Sequence, residues 1–244
     1  MLRRPNSGTQ ARGIFSKQEW SKNFSAFGYQ VYSPYLVPRF TFGHFELMQS
    51  HLNYYVLDTP AIKLGPGINF VFPVYAGSEI DTLMGMSRSG YIEALAVAQI
   101  ALPFGQLELT ARQPFYSGEQ GVDWKASLAS GVPAFKIGAN LSWVNLQYEF
   151  TLFSPETASY TFGVTPSEST PTRTAHKFGH MAAHSLVVGY WIPLTEKYWI
   201  TTTVKRDWFP ETILQSPIVQ KTSETTFLIG FLFSFTKNPN GSSE

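Results

Sequence analysis

Apolar and polar positions in this chain alternate mostly with a period of two, and helical periodicity is scarce. In "IKLGPGINFVF" (62–72), Lys63, Gly65, Gly67 and Asn69 oppose Ile62, Leu64, Ile68, Phe70 and Phe72. In "IEALAVAQIAL" (92–102), Ile92, Ala94, Ala96, Ala98, Ile100 and Leu102 share one side. "GQLELTAR" sets Leu107, Leu109 and Ala111 against Gln106, Glu108, Thr110 and Arg112, and "VDWKASLAS" sets Val122, Trp124, Ala126 and Leu128 against Asp123, Lys125 and Ser127. "FELMQSHLNYYVL" (45–57) reads as one strand with Gln49, His51 and Asn53 on one face. "AFKIGANLSW" (134–143) reads as another, with Phe135, Ile137, Ala139, Leu141 and Trp143 opposite Lys136, Gly138, Asn140 and Ser142. "YWITTTVKRDWF" (198–209) is strand-like by its Thr, Val and aromatic content, and 178–192 alternates less cleanly. Period-two alternation puts the two sets on opposite faces of an extended chain.

The last such run, Thr225 to Phe235, differs from a soluble strand. Phe227, Ile229, Phe231, Phe233 and Phe235 alternate with Thr226, Leu228, Gly230, Leu232 and Ser234, so neither face is made for water. The runs of about 9 to 13 residues suit a tilted strand crossing a bilayer. Between them lie short turns ("LPFGQ" at 102–106, "SGVPA" at 130–134, "IPLTEKYW" at 192–199) and longer polar segments (74–90, 154–176, 210–224). That asymmetry predicts an all-β fold: a single transmembrane up-and-down antiparallel β-barrel of about 10–12 strands. Turns near Gly105, Gly131 and Thr195 are expected in the periplasm and the three long loops outside. Closure leaves no strand edge unpaired in lipid. A soluble lipocalin-like barrel or sandwich has the same alternation with the faces inverted, and alternation alone leaves it open.

Composition favours lipid. Charged residues are 14% of the 244, against roughly 25% in ordinary soluble domains. There are 20 Phe, 12 Tyr and 6 Trp. Trp124, Trp143, Trp191, Trp199, Tyr190 and Tyr198 fall near strand ends, where interfacial aromatic girdles belong. The formal net charge of +1 gives no general attraction to nucleic acid. With no cysteine, disulfides and thiolate metal sites are excluded. No apolar run is long enough for a transmembrane helix. The opening "MLRRPNSGTQARGIFSKQEW" lacks the apolar centre of a secretory signal.

Candidate chemistry is sparse. His176, His180 and His184 are spaced by four, but on a strand such positions lie about 13 Å apart, too far for one metal. No nucleophile elbow, phosphate loop or dinucleotide fingerprint occurs. Asp207 and Glu211 beside Arg206 read as a rim salt bridge. Lys63, Glu93, Glu108, Arg112, Lys125 and Lys136 fall on the faces assigned to the lumen. No catalytic, cofactor or metal residue is expected.

Three segments carry a family resemblance. "QSPIVQKTSETTFLIGFLFSF" resembles the closing segment of the MltA-interacting protein family, the MipA/OmpV outer-membrane proteins, through Ser216, Pro217, Ile218, Val219, Gly230 and Phe235. "YTFGVTPSES" is similar to a family loop through Tyr160, Phe162, Gly163 and Val164, and "VYSPYLVPRFTFGHFEL" resembles an early strand pair. The resemblance runs from about 29 to 235. It implies a barrel over 29–236, a preceding segment 1–28 that is irregular or a degenerate first strand, and a polar tail 237–244. It further implies residence in the bacterial outer membrane among its lipids, and a non-enzymatic scaffold role toward a lytic transglycosylase and a bifunctional penicillin-binding protein. Gly230, Phe233 and Phe235 match the terminal signal read by the barrel assembly machinery, although Leu228 stands where a polar residue is expected. A solute channel is the alternative function, and an outer-membrane lipid hydrolase a more distant one.

Overall fold

In a computed structural model, the residues described are 10–14, 35–48, 50–71, 86, 90–115, 121–137, 140–195 and 198–234. They form β1 (Gln10–Ile14), β2 (Tyr35–Phe42), β3 (Phe45–Met48), β4 (His51–Tyr54), β5 (Leu57–Asp58), β6 (Ile62–Val71), β7 (Tyr91–Leu102), β8 (Gly105–Phe115), β9 (Asp123–Ile137), β10 (Asn140–Phe153), β11 (Met181–Pro193), β12 (Tyr198–Trp208) and β13 (Ser223–Ser234). Among the described residues, one α-helix, α1 (Pro155–Phe162), and two 3-10 turns lie in the connections.

Every pairing is antiparallel and joins sequence neighbours. The exceptions close a ring: β1 pairs with β13, and β4 pairs with β6. β4 and β5 run end to end along β6, so the ring has twelve members. The register between them slips by one at Val56, a bulge that leaves Val56 and Leu57 both exposed. Following paired residues once round the ring returns to β13 displaced by about 16 residues, a stagger that tilts the strands by roughly 40°. The twelve residues of β7 then rise roughly 30 Å, enough for the apolar band of an outer membrane. No helix among the described residues is long and apolar enough to cross a membrane. β1 falls within the segment expected to be irregular or a degenerate first strand, and completes the ring.

The faces sort as the alternation predicts along most of the wall. Ile62, Leu64, Ile68 and Phe70 are exposed while Asn69 is buried; Leu109, Trp124 and Leu128 point out while Thr110, Asp123 and Ser127 point in. On β13 the outward Phe227 and Ile229 are 71% and 66% exposed. β11, which alternates poorly by residue type, alternates well by position, with Met181, Ala183, Ser185 and Gly189 inside.

Four expectations change. Residues 45–57 are not one strand: β3 and β4 form a hairpin in which Met48 and His51 face each other. Gly131 is no turn: it lies inside β9 opposite Asn145, and the true turn lies between Ile137 and Asn140, dividing "AFKIGANLSW" between two strands. Trp143, Trp191 and Trp199 are not girdle residues. Trp143 and Trp191 are directly paired and share the parity of buried Pro193 and Thr201, as does Trp199, so all three turn inward while Trp124, Tyr190 and Tyr198 stay on the outer face. Lys136 is exposed near the tip of the β9–β10 hairpin rather than in the lumen.

Candidate functional site

The connections at one end are short. They lie at 43–44, 59–61, 103–104, 138–139 and 194–197. The long connections all leave the opposite end, and the described parts of three of them pack into a cap.

Its first piece starts at Ser154. The Ser154 side chain accepts from Thr157 N (3.2 Å), Pro155 opens α1 and Glu156 sits in the first turn. This is a helix start built from local chemistry. The Ser154 N–H itself donates to Asp123 Oδ1 at 2.8 Å, tying the helix cap to the fully buried first residue of β9. Gly121 lies beneath it, where an added Cβ would strike the Ser154 hydroxyl. Beyond α1, Glu168 accepts from Thr165 N (3.0 Å) and Thr165 Oγ1 (2.7 Å), a capping box over the turn Pro166–Glu168. Buried Arg173 donates to the Glu168 carbonyl through Nε (3.0 Å) and Nη2 (2.6 Å).

The two resemblance motifs meet in this cap. Ser216 Oγ donates to the Phe162 carbonyl at 2.6 Å across 54 residues of chain. Phe162, Val164, Ile218 and Val219 are all buried in one apolar cluster with Met86, Ala158, Phe178, Met181 and Ile213, and Phe153 and Phe209 pack against it. Phe162 meets Phe153 and Phe209 edge-on, at 6.0 and 5.5 Å. Val164 exchanges backbone bonds with His176, both 2.9 Å. Gly163 is required by this approach, since a Cβ there would collide with the Ser159 carbonyl and come within 2.7 Å of that of His176. Tyr160 stands edge-on to Tyr91 at 5.6 Å, linking the cap to β7. Ser216 also accepts from Ile218 N (3.4 Å), and Pro217 fills the turn between them.

Below the cap the lumen is polar and most of its charges are paired, chiefly between neighbouring strands. Asn69 donates to Glu93 (2.7 Å) and Gln99 to Glu108 (3.0 Å). Arg112 faces Asp123 (3.8 Å), Lys125 binds Glu149 (2.8 Å) and Lys205 binds Asp207 (3.0 Å), which also accepts from Ser185 Oγ. Lys63 binds Asp58 at 3.3 Å and stands over the Tyr55 ring, whose hydroxyl donates to Glu46 at 2.7 Å. Of the residues expected in the lumen, Lys63, Glu93, Glu108, Arg112 and Lys125 are there.

A family model described as MltA-interacting protein MipA matches residues 13–235. The chain belongs to the MipA family. Among curated proteins, none matches it in sequence. Among solved structures, it is similar to an anion-selective porin from Comamonas acidovorans, at 12% identity and TM-score 0.39 over 95% of this chain, and it spans 57% of that porin. It is also similar to the NanC porin, at 11% identity and TM-score 0.42, covering 93% of this chain and all of that one. An outer membrane channel from Pseudomonas putida F1 is similar at 13% identity and TM-score 0.37, covering 95% and 98%.

The remaining candidate residues of this MipA-family chain are dispersed. His176 meets Phe178 edge-on at 4.6 Å, His180 is an exposed loop residue, and His184 points outward from β11, its ring nitrogen 2.5 Å from the Tyr148 hydroxyl. Asp207 lies in the lumen with Lys205 and so is separated from Arg206, which faces out; the rim pair expected there is not formed. Gly230 is buried and pairs with Thr201 and Ile14, and Phe233 pairs along the backbone with Tyr198 and Ala11. Phe235 lies outside the described residues. Sequence reading missed Asp123 as the anchor of the cap, although the Ser-Pro-Glu that it holds is a legible helix start.

Proposed function

We propose that this barrel sits in the bacterial outer membrane as a non-enzymatic adaptor. Its short-turn end holds a murein-remodelling enzyme in the periplasm, and its capped end faces outward. Long external and short periplasmic connections are the rule for such barrels, which supports this orientation. The family's name supplies the partner class, MltA, a lytic transglycosylase, and the sequence resemblance adds a bifunctional penicillin-binding protein.

One observation carries the reading: the β9–β10 hairpin outruns the wall. β9 has 15 residues and β10 has 14, but β8 stops at Gly105 and its pairing with β9 ends at Gln106↔Ala129. Residues 131–137 therefore have β10 on one side and no described strand on the other. With the tilt allowed for, the tip reaches roughly 10 Å past the neighbouring turns. Every residue from 131 to 136 is exposed, Val132 at 52% and Phe135 at 58%. Phe104, 63% exposed, flanks the hairpin, its carbonyl bound by Ser130 Oγ. An unpaired strand edge offers backbone donors and acceptors to an extended segment of a partner, and the apolar side chains beside it supply pockets.

The test is binding of the detergent-solubilised barrel to a purified MltA-type transglycosylase. Val132→Lys with Phe135→Lys should weaken it at least about tenfold while gel heat-modifiability stays normal. Unchanged binding overturns the hairpin as the site, and no binding by the wild type overturns the adaptor role.

A solute channel is the second reading, favoured by the polar, mixed-charge inner wall. Planar-bilayer recording separates the two: a capped adaptor gives no steady conductance. In either case Gly230, Phe233 and Phe235 are proposed as the assembly signal. Phe233→Ser with Phe235→Ser should reduce the inserted, heat-modifiable form, and normal insertion would remove that role.

A further inference from the structure

The outer face of the wall is neutral almost everywhere. Among the described strand residues that point outward between the two rims, Arg206 is the one formal charge. It shares its face with Val204 and Trp208 along β12 and stands opposite Leu186 and Thr225 on the neighbouring strands, while Lys205 and Asp207 point into the lumen. A charge in that position is costly at the centre of a bilayer and tolerated only near an interface. Arg206 is near one: it lies two residues before the end of β12 on the capped side, and its hydroxyl partners Ser223 and Thr225 are the first and third residues of β13.

The side chain is held in place. Nη1 donates to Thr225 Oγ1 at 2.7 Å and Nη2 to Ser223 Oγ at 2.8 Å, and the guanidinium lies 5.9 Å from the Trp208 ring. Those two bonds use two of five N–H donors and fix the plane of the fork. Trp208 is paired with His184, which is joined to Tyr148 and lies 5.2 Å from the Phe150 ring. The result is an outward aromatic ridge with one oriented cation at its edge, near the capped rim of the wall.

We propose that Arg206 binds the phosphate of an outer-leaflet lipid. The guanidinium fork matches a phosphate's oxygens and forms charge-assisted bonds with them. Ser223 and Thr225 hold the fork, and the ridge of Trp208, His184, Tyr148 and Phe150 packs against the lipid body. The site rests on the orientation given above, with the capped end outward, but is independent of any enzyme partner.

Native mass spectrometry of the detergent-solubilised barrel titrated with diphosphoryl lipid A tests it. The wild type should retain lipid A, and Arg206→Gln should lower its affinity by about tenfold, the scale of a lost charge-assisted bond. Arg206→Lys should fall between, because a point charge lacks the fork. Ser223→Ala with Thr225→Ala keeps the charge but loosens it, should weaken retention by a smaller factor, and serves if Arg206→Gln does not fold. Arg206→Gln should leave transglycosylase binding unaltered, which separates this site from the adaptor reading. Equal lipid A retention by wild type, Arg206→Gln and the double variant would overturn the proposal. Full displacement of lipid A by millimolar inorganic phosphate would overturn the lipid as the source.

Discussion

At the capped end of the barrel, Phe162, Val164, Ile218 and Val219 come from connecting segments and are nevertheless buried, with Ser216 satisfying a carbonyl of the neighbouring loop. At the other end, 131–136 belong to a regular strand, and every residue there is exposed rather than every second one, Val132 and Phe135 included. Loop and strand have exchanged their usual roles. Burial here follows from whether neighbouring connections fold back over a residue. The long connections can pack on one another, whereas a hairpin that overshoots the wall leaves its flank to whatever docks there.

The sharpest way to break the contrast is to put a charge into each end. Ile218→Asp places a carboxylate in the apolar cluster and should cost the cap about 3–5 kcal/mol. Limited proteolysis should then cut the 164–178 segment while the barrel core resists. If that segment stays protected, the cap is not held by this cluster. Between the two ends the wall supplies a control: Ile229→Arg, facing lipid, should destabilise insertion by roughly 2–4 kcal/mol in urea titrations from lipid vesicles. Thr226→Arg, on the lumen side of the same strand, should cost less, and equal costs would contradict the assignment of faces.

Smaller is Ser216→Ala, which removes the hydroxyl bond to the Phe162 carbonyl and should weaken the cap by about 0.5–1.5 kcal/mol, seen as a lower midpoint of the cap's protease protection. Smallest in stability is Phe135→Ser. An exposed position should change the urea midpoint by no more than about 0.5 kcal/mol, yet weaken transglycosylase binding. A large loss of stability would mean that the hairpin is packed rather than offered.

The sequence made the wall legible where the two faces differ chemically, as in β6 to β8. It failed where a turn lacks turn chemistry. Gln49 and Ser50 carry no Gly, Pro, Asn or Asp, so "FELMQSHLNYYVL" alternates straight through a hairpin. It failed in the opposite sense at "SGVPA". Gly131 and Pro133 look like a turn but sit within β9, where the ladder is one-sided and a missing N–H and a missing side chain are tolerated. The inward Trp191 and Trp199 were illegible because a Trp at a strand end fits either face, and only register decides.

The cap was half legible. The motif residues were identified by resemblance, but their contact joins segments 54 residues apart, which no local pattern reports. Its helix was legible after all: Ser154, Pro155 and Glu156 form a start signal within a stretch read as a polar loop.

Because the chain has no cysteine, single replacements at the two ends test the orientation, and with it the central claim, most directly. Cysteine at Ser167, exposed in the cap, should react with a membrane-impermeant maleimide in intact cells. Cysteine at Ala134, exposed on the projecting hairpin, should react only after the outer membrane is permeabilised. Labelling of Ala134 in intact cells with Ser167 protected would place the hairpin outside and contradict the account.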